Sequence, residues 1–175
     1  MSTITKKICL LGDFNVGKTS LVRRFIEDKF SDRYLSTVGV KVSRKSIEVK
    51  TELETQSINL LVWDLEGNTK FKSITPSYLK GASGSIIVAD LTRGDTIKNL
   101  SQHLQLFFEL NPKSKAVIAL NKADLVPAEK LAKLVENYQS QNSPRVLGVY
   151  TTSAKTGDRV DEIFQLIGKE LLDTN

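Results

Sequence analysis

The sequence predicts an α/β fold, a mainly parallel sheet with helices on both faces and one antiparallel edge strand. Three observations carry this. Apolar runs of strand length, Lys7–Leu11, Ile58–Leu65, Gly84–Leu91 and Ala116–Leu120, read as buried strands, because strands covered on both faces are continuously apolar. Between them lie segments of helical period, such as Leu21, Phe25 and Ile26, or Val160, Ile163, Phe164, Ile167 and Leu171. Two strand-like segments, Val38–Glu54 and Ile58–Leu65, follow each other without a helix between them and read as a hairpin. The 175 residues are 40% hydrophobic and 26% charged, a globular composition, and residues 1–175 are expected to form one domain with a substantial core.

Each element has a local reason. Lys7–Leu11 runs into a glycine loop, after which Ser20–Asp28 is helical. The hairpin turns around Thr51–Gln56, and Phe71–Lys80 is a short helix. Gly84–Leu91 is a buried strand. Asp95–Leu110 is a helix ended by Asn111-Pro112, since proline steers the residue before it out of the helical region. Ala116–Leu120 is a strand, Pro127–Gln141 a helix opened by its proline, Arg145–Thr151 a short strand, and Val160–Leu172 the closing amphipathic helix. No repeat, low-complexity tract or linker interrupts this order. Ligands of such sheets bind at the carboxyl ends of the strands.

Charge and cysteine content narrow the function classes. One cysteine, Cys9, excludes a disulfide framework and a Cys-rich zinc site, and fits a reducing compartment. The net charge is +5, with eleven Lys+Arg against five Asp+Glu in residues 1–50. A basic chain raises nucleic acid or an anionic membrane as partner. No nucleic-acid module appears, however, and no secretory signal or membrane-length apolar stretch. Ser2 excludes N-myristoylation, and the end, Leu171 to Asn175, carries no prenylation cysteine, so no intrinsic lipid anchor and a cytoplasmic location are expected.

The residues at strand ends carry the chemistry. Gly12-Asp13-Phe14-Asn15-Val16-Gly17-Lys18-Thr19 fits G-x-x-x-x-G-K-[ST] between a strand and a helix. Such a turn wraps backbone N–H groups around a phosphate, and the helix N-terminus adds partial positive charge. Lys18 would bridge the outer phosphates and Thr19 would ligate Mg²⁺. Alone, this phosphate loop (12–19) suits a kinase, an ATPase or a GTPase. Asn121-Lys122-Ala123-Asp124 follows the fifth strand. The Asp124 carboxylate can accept both donors of a guanine edge, and an adenine would leave it unpaired. Lys122 can lie along the base, Asn121 can tie the loops, and Ser153-Ala154-Lys155 offers a backbone N–H to the guanine oxygen.

With these residues the chain resembles the Ras superfamily of small GTPases, most closely the Rab-like branch, from about Lys6 to Leu172; a bacterial Ras-like relative also fits. Tyr34-Leu35-Ser36-Thr37-Val38-Gly39 and Trp63-Asp64-Leu65-Glu66-Gly67 add to the resemblance. It implies a small G domain of the P-loop NTPase class with a six-stranded sheet and a GTP/GDP–Mg²⁺ site. That site would be built from Asn15, Val16, Gly17, Lys18, Thr19, Ser20, Phe30, Thr37, Gly67, Asn121, Lys122, Asp124, Ser153, Ala154 and Lys155. It further implies Mg²⁺ ligation by Thr19, Thr37 and, through a water, Asp64. Phe30 would cover the guanine, and Gly67 N–H would meet the γ-phosphate. Switch one would span about 30–39 and switch two about 64–80. Effector and regulatory proteins would bind through them, and the chain would be a monomer.

Two residues depart from that pattern. Asn68 stands where a glutamine usually orients the attacking water, and Thr69 replaces the usual glutamate. Phe14 occupies a loop position that is often small. Catalysis would rest on Lys18, Thr37, Gly67 and Asn68. The expected result is normal GTP binding with slow hydrolysis; an interaction module with negligible hydrolysis is the alternative. His103 is expected to be a solvated helix residue, Cys9 core, Trp63 a packing residue, and Lys41, Arg44, Lys45 and Lys50 charges that guard the edge hairpin.

Overall fold

The computed structural model describes residues 3–33, 37–67, 76–139 and 143–174. The sheet has six strands, β1 (Ile4–Gly12), β2 (Val40–Lys50), β3 (Thr55–Leu65), β4 (Gly84–Asp90), β5 (Lys115–Asn121) and β6 (Val146–Thr151), in the order β2-β3-β1-β4-β5-β6. Only β2 runs antiparallel, paired to β3 from Val40↔Leu65 to Lys50↔Thr55. The helices are α1 (Lys18–Glu27), α2 (Pro76–Leu79), α3 (Gly94–Lys98), α4 (Leu100–Leu110), α5 (Ala128–Gln139) and α6 (Val160–Asp173), with a 3-10 turn over Ala123–Leu125.

The burial pattern follows from this order. Every residue of central β4 is buried, whereas edge β2 buries only Ile47 and Val49. Alternation along β1 divides the core. Ile8 and Leu10 face α1 and α6, and Cys9 and Leu11 face the side covered by α4. Burial pushes the Cys9 thiol up to about 12, so it is an inert packing group. On the first face the rings of Phe25 and Phe164 stack 3.8 Å apart at 2°, joining α1 to α6.

Two expectations are corrected. The single helix over Asp95–Leu110 is α3 and α4, meeting at Asn99. Asn99 relaxes to ψ −9 while its N–H still donates to the Asp95 carbonyl at 3.1 Å, and its side-chain amide donates to the Asp13 carboxylate at 2.7 Å. Lys45 is no free edge charge, because its ammonium donates to the Phe25 carbonyl and lies 4.3 Å from the Phe25 ring. Most of the helix expected over Phe71–Lys80 lies outside the described residues, which hold its end as α2. The stop at Asn111 is as expected. Its Nδ2 donates back to the Phe107 carbonyl at 3.2 Å and across to Leu79 at 2.9 Å.

Replacing fully buried Phe164 with alanine removes the ring that joins α1 to α6. A loss of about 3–5 kcal/mol in urea-denaturation stability is expected. A loss below about 1 kcal/mol would mean that the stack is not part of the core.

Candidate functional site

The carboxyl ends of β1, β4 and β5 lie side by side, because these strands are neighbours in the sheet. The phosphate loop leaves β1 there and re-enters the fold as α1. Within it Asn15 has φ 61 and Gly17 φ 99. A Cβ at Gly17 would stand 2.3 Å from Asn121 Nδ2, so only glycine admits the bond from Asn121 Nδ2 to the Val16 carbonyl at 3.0 Å.

Lys18 opens α1 and folds its ammonium back over the loop, donating to the carbonyls of Gly12 at 3.0 Å and Asp13 at 2.8 Å. Burial lowers its pKa to about 8, against the attraction of Asp64 and Asp13. Beside it three oxygen groups converge. Thr19 Oγ1 lies 2.5 Å from Thr37 Oγ1, and both hydroxyls donate to Asp64 Oδ2, at 2.7 and 3.2 Å. Asp64 Oδ1 is buried and has no hydrogen-bond partner among the described residues. Burial raises the Asp64 pKa, opposed by Thr19, Lys18, Thr37 and Lys41. Hard oxygen donors with one carboxylate oxygen unspent fit Mg²⁺, which takes few protein ligands and keeps water and phosphate oxygens. No group of three or more His, Cys, Asp or Glu side chains able to hold a metal occurs among the described residues.

The second loop stands against the first. Asn121 Oδ1 accepts from Thr152 Oγ1 at 3.1 Å and from the Ala154 N–H at 3.3 Å, so one amide ties three loops together. Lys122, at φ 66, donates to the Asn15 carbonyl at 3.1 Å and pairs with Asp90 at 2.8 Å. The Asp124 carboxylate is steadied by Ser153 Oγ at 2.8 Å and stays exposed at the cleft. The cleft is lined by Phe14, Asn15, Gly17, Lys18, Thr19, Ser20, Phe30, Thr37, Gly67, Asn121, Lys122, Asp124, Ala154 and Lys155. Val16, Asp64 and Ser153 stand behind that wall, each bonded to a lining residue. Phe30 also packs on the core, so it serves both surfaces.

Of the two departures from the pattern, Phe14 bears on this cleft. Phe14 is 44% exposed and lines it. Gly67 lies against the Phe14 backbone, where an added Cβ would come within 2.5 Å of the Phe14 Cα. Asn68 and Thr69 lie outside the described residues, as do Tyr34, Leu35 and Ser36. The roots of the two loops are tied together, since Glu66 N–H donates to the Gly39 carbonyl at 2.8 Å and Gly39 N–H to Glu66 Oε2 at 3.1 Å.

Sequence reasoning missed the groups that brace the loops from behind. His103, expected on a solvated face, is 3% exposed. Its Nε2 donates to Asp13 Oδ1 at 2.9 Å, and Asn99 holds the other oxygen of that carboxylate. Asn99 and His103, one helical turn apart, thus meet the same carboxylate from the start of α4. Arg24 of α1 donates to the carbonyls of Ala154 at 2.8 Å and Lys155 at 2.6 Å. Arg93 donates to the carbonyls of Phe14 at 2.9 Å and Asn15 at 3.3 Å. The only local signal for any of these was Asp13, a carboxylate in a loop that binds anions.

The site is thus a cleft at the strand ends, walled by a glycine-bearing loop before α1 and by the loop that carries Asp124. The Ras family pattern matches residues 7–173. The chain is 34% identical over 169 residues to Ras-related protein Rab-13 of Mesocricetus auratus, covering 95% of this chain and 79% of that protein. It is 36% identical over 170 residues to Ras-related protein RABF2a of Arabidopsis thaliana, covering 96% and 82%. To Ras-related protein SEC4 of Saccharomyces cerevisiae it is 33% identical over 175 residues, covering 97% and 77%. The chain belongs to the Ras family, as a Rab-like small GTPase of the class that binds GTP and GDP.

Burial lowers the His103 pKa despite the pull of Asp13. The folded state thus favours the neutral imidazole. Below the ordinary value of 6.5 the unfolded chain binds more protons, so the contribution of His103 is lost as pH falls. In urea denaturation, the stability lost between about pH 7.5 and about pH 5.5 should be smaller in His103→Gln than in wild type. His103→Ala, which leaves Asp13 with Asn99 alone, should cost about 1–3 kcal/mol at neutral pH. Equal pH dependence in wild type and His103→Gln would contradict the assignment.

Proposed function

We propose that the chain is a guanine-nucleotide switch that binds GTP and GDP with Mg²⁺ and hydrolyses GTP slowly. The observation that carries this reading is the convergence of Thr19, Thr37 and Asp64 beside Lys18, on three separate segments of chain. Thr37 belongs to the first switch and Asp64 to the root of the second. A triphosphate would give both segments a common anchor, and its loss would release them.

In this reading Thr19 and Thr37 would hold Mg²⁺ through their hydroxyl oxygens, and Asp64 would hold it through a water. The ion, when bound, neutralises charge on the outer phosphates. Lys18 spends two of its three donors on the Gly12 and Asp13 carbonyls and would turn the third to those phosphates. Asp124 selects guanine, with Ser153 holding its carboxylate in place. The Gly67 N–H meets the γ-phosphate, and Asn68 orients the attacking water. The Asn68 amide is one methylene shorter than the usual glutamine, and the exposed Phe14 ring occupies the cleft that the water must enter. Both features support slow hydrolysis. The Phe14 ring also supports a second reading, a GTP-loaded interaction module with negligible turnover.

The lone buried Cys9 suits a cytoplasmic setting, where partners would read the switch segments. No helix among the described residues is long and apolar enough to cross a membrane.

Single-turnover hydrolysis of GTP tests the catalytic part. Asn68→Gln and Phe14→Gly should each raise the rate by about tenfold, and by more together. A wild-type rate already equal to that of the double variant would contradict slow hydrolysis. A rate near zero in all four proteins would favour the module.

A further inference from the structure

We infer that Arg93 is a positioning residue for nucleotide binding, one that turns the phosphate-loop N–H groups toward the phosphates by holding the loop's carbonyls from outside. The inference rests on the guanine-nucleotide reading above. In a trans peptide the C=O of one residue and the N–H of the next point in opposite directions. Arg93 Nη1 takes the Phe14 carbonyl at 2.9 Å, which aims the Asn15 N–H the other way. It also reaches the Asn15 carbonyl at 3.3 Å, which Lys122 Nζ shares at 3.1 Å, and this aims the Val16 N–H. Arg93 does not line the cleft, so it acts through the loop and not on the ligand.

Arg93 is itself held in place. Its N–H donates to the Asp90 carbonyl at 3.0 Å, and its own carbonyl accepts from Thr96 Oγ1 at 2.7 Å. Its guanidinium lies 3.9 Å from Asp90 Oδ2, the oxygen that Lys122 reaches at 2.8 Å. The other Asp90 oxygen accepts from Thr92 N–H at 2.8 Å and Thr92 Oγ1 at 2.6 Å. One buried carboxylate at the end of β4 thus aligns two cations on successive loop carbonyls. Asn15 itself stands at φ 61, a left-handed geometry that asparagine tolerates better than most residues. Both bonds come from one nitrogen, Nη1, which the planar guanidinium holds in a fixed direction, whereas the shorter, flexible reach of a lysine ammonium holds its donors more loosely.

The test compares GMP, GDP and GTP, with Mg²⁺, on the wild-type chain, Arg93→Ala and Arg93→Lys. GMP keeps the base contacts but lacks the outer phosphates that the loop N–H groups cradle. In Arg93→Ala, dissociation of GDP and GTP should be about tenfold faster, the loss expected when a charge-assisted hydrogen bond is removed. GMP affinity should stay within about twofold, and Arg93→Lys should lie between. Unchanged GDP and GTP dissociation in Arg93→Ala would overturn the inference. So would equal weakening of GMP and GDP, the sign of a general loosening of the fold. Failure of the wild-type chain to bind either GDP or GTP would overturn the nucleotide reading itself.

Discussion

The structure depends on one constraint: the loop after β1 must turn its N–H groups to one side, so its carbonyls must be satisfied elsewhere. Buried backbone carbonyls need partners. Here the carbonyls of Gly12 and Asp13 go to Lys18, those of Phe14 and Asn15 to Arg93 and Lys122, and that of Val16 to Asn121. These partners come from the ends of β4 and β5 and from the start of α1. Strand order β1-β4-β5 is what lets them meet one loop. The fold thus serves the site by adjacency, bringing residues more than a hundred positions apart within hydrogen-bond distance.

Much of the basic charge near the N-terminus proves to be used inside the molecule. Lys18 is buried over the loop, Arg24 braces the base loop, and Lys45 closes on Phe25. Lys7 lies 3.7 Å from the Trp63 ring and donates to the Lys80 carbonyl at 2.8 Å. A high isoelectric point is therefore a poor guide to partners in this chain. These four positive groups face carbonyls, rings and the expected phosphates, while Lys29, Arg33, Lys41, Arg44 and Lys50 are exposed.

The sheet and the two loops were legible in the sequence because their causes are local. A buried strand is apolar throughout, and a phosphate loop needs its glycines and lysine at fixed spacing. His103, Arg24 and Arg93 were not legible. Each acts on a carboxylate or backbone carbonyl about 80 or more residues away, and a carbonyl has no residue identity for a motif to record. The same holds for the break at Asn99. Its side-chain amide donates to Asp13 across the fold, and nothing in the helical period of Asp95–Leu110 shows that bond.

The segments that end at Gly39 and Glu66 are joined by one backbone bond and one bond to the Glu66 carboxylate, while Gly67 rests against the Phe14 backbone. Contact with the phosphates at Thr37 and at Gly67 would thus be felt in both segments and in the loop together. The central claim, that the cleft holds a guanine nucleotide, is tested most directly by extracting and chromatographing the nucleotide retained by the purified chain. About one guanine nucleotide per chain, mostly GDP, is the result expected of a hydrolysing switch, and mostly GTP would favour the interaction module. An adenine nucleotide, or none retained with Mg²⁺ present throughout, would contradict it.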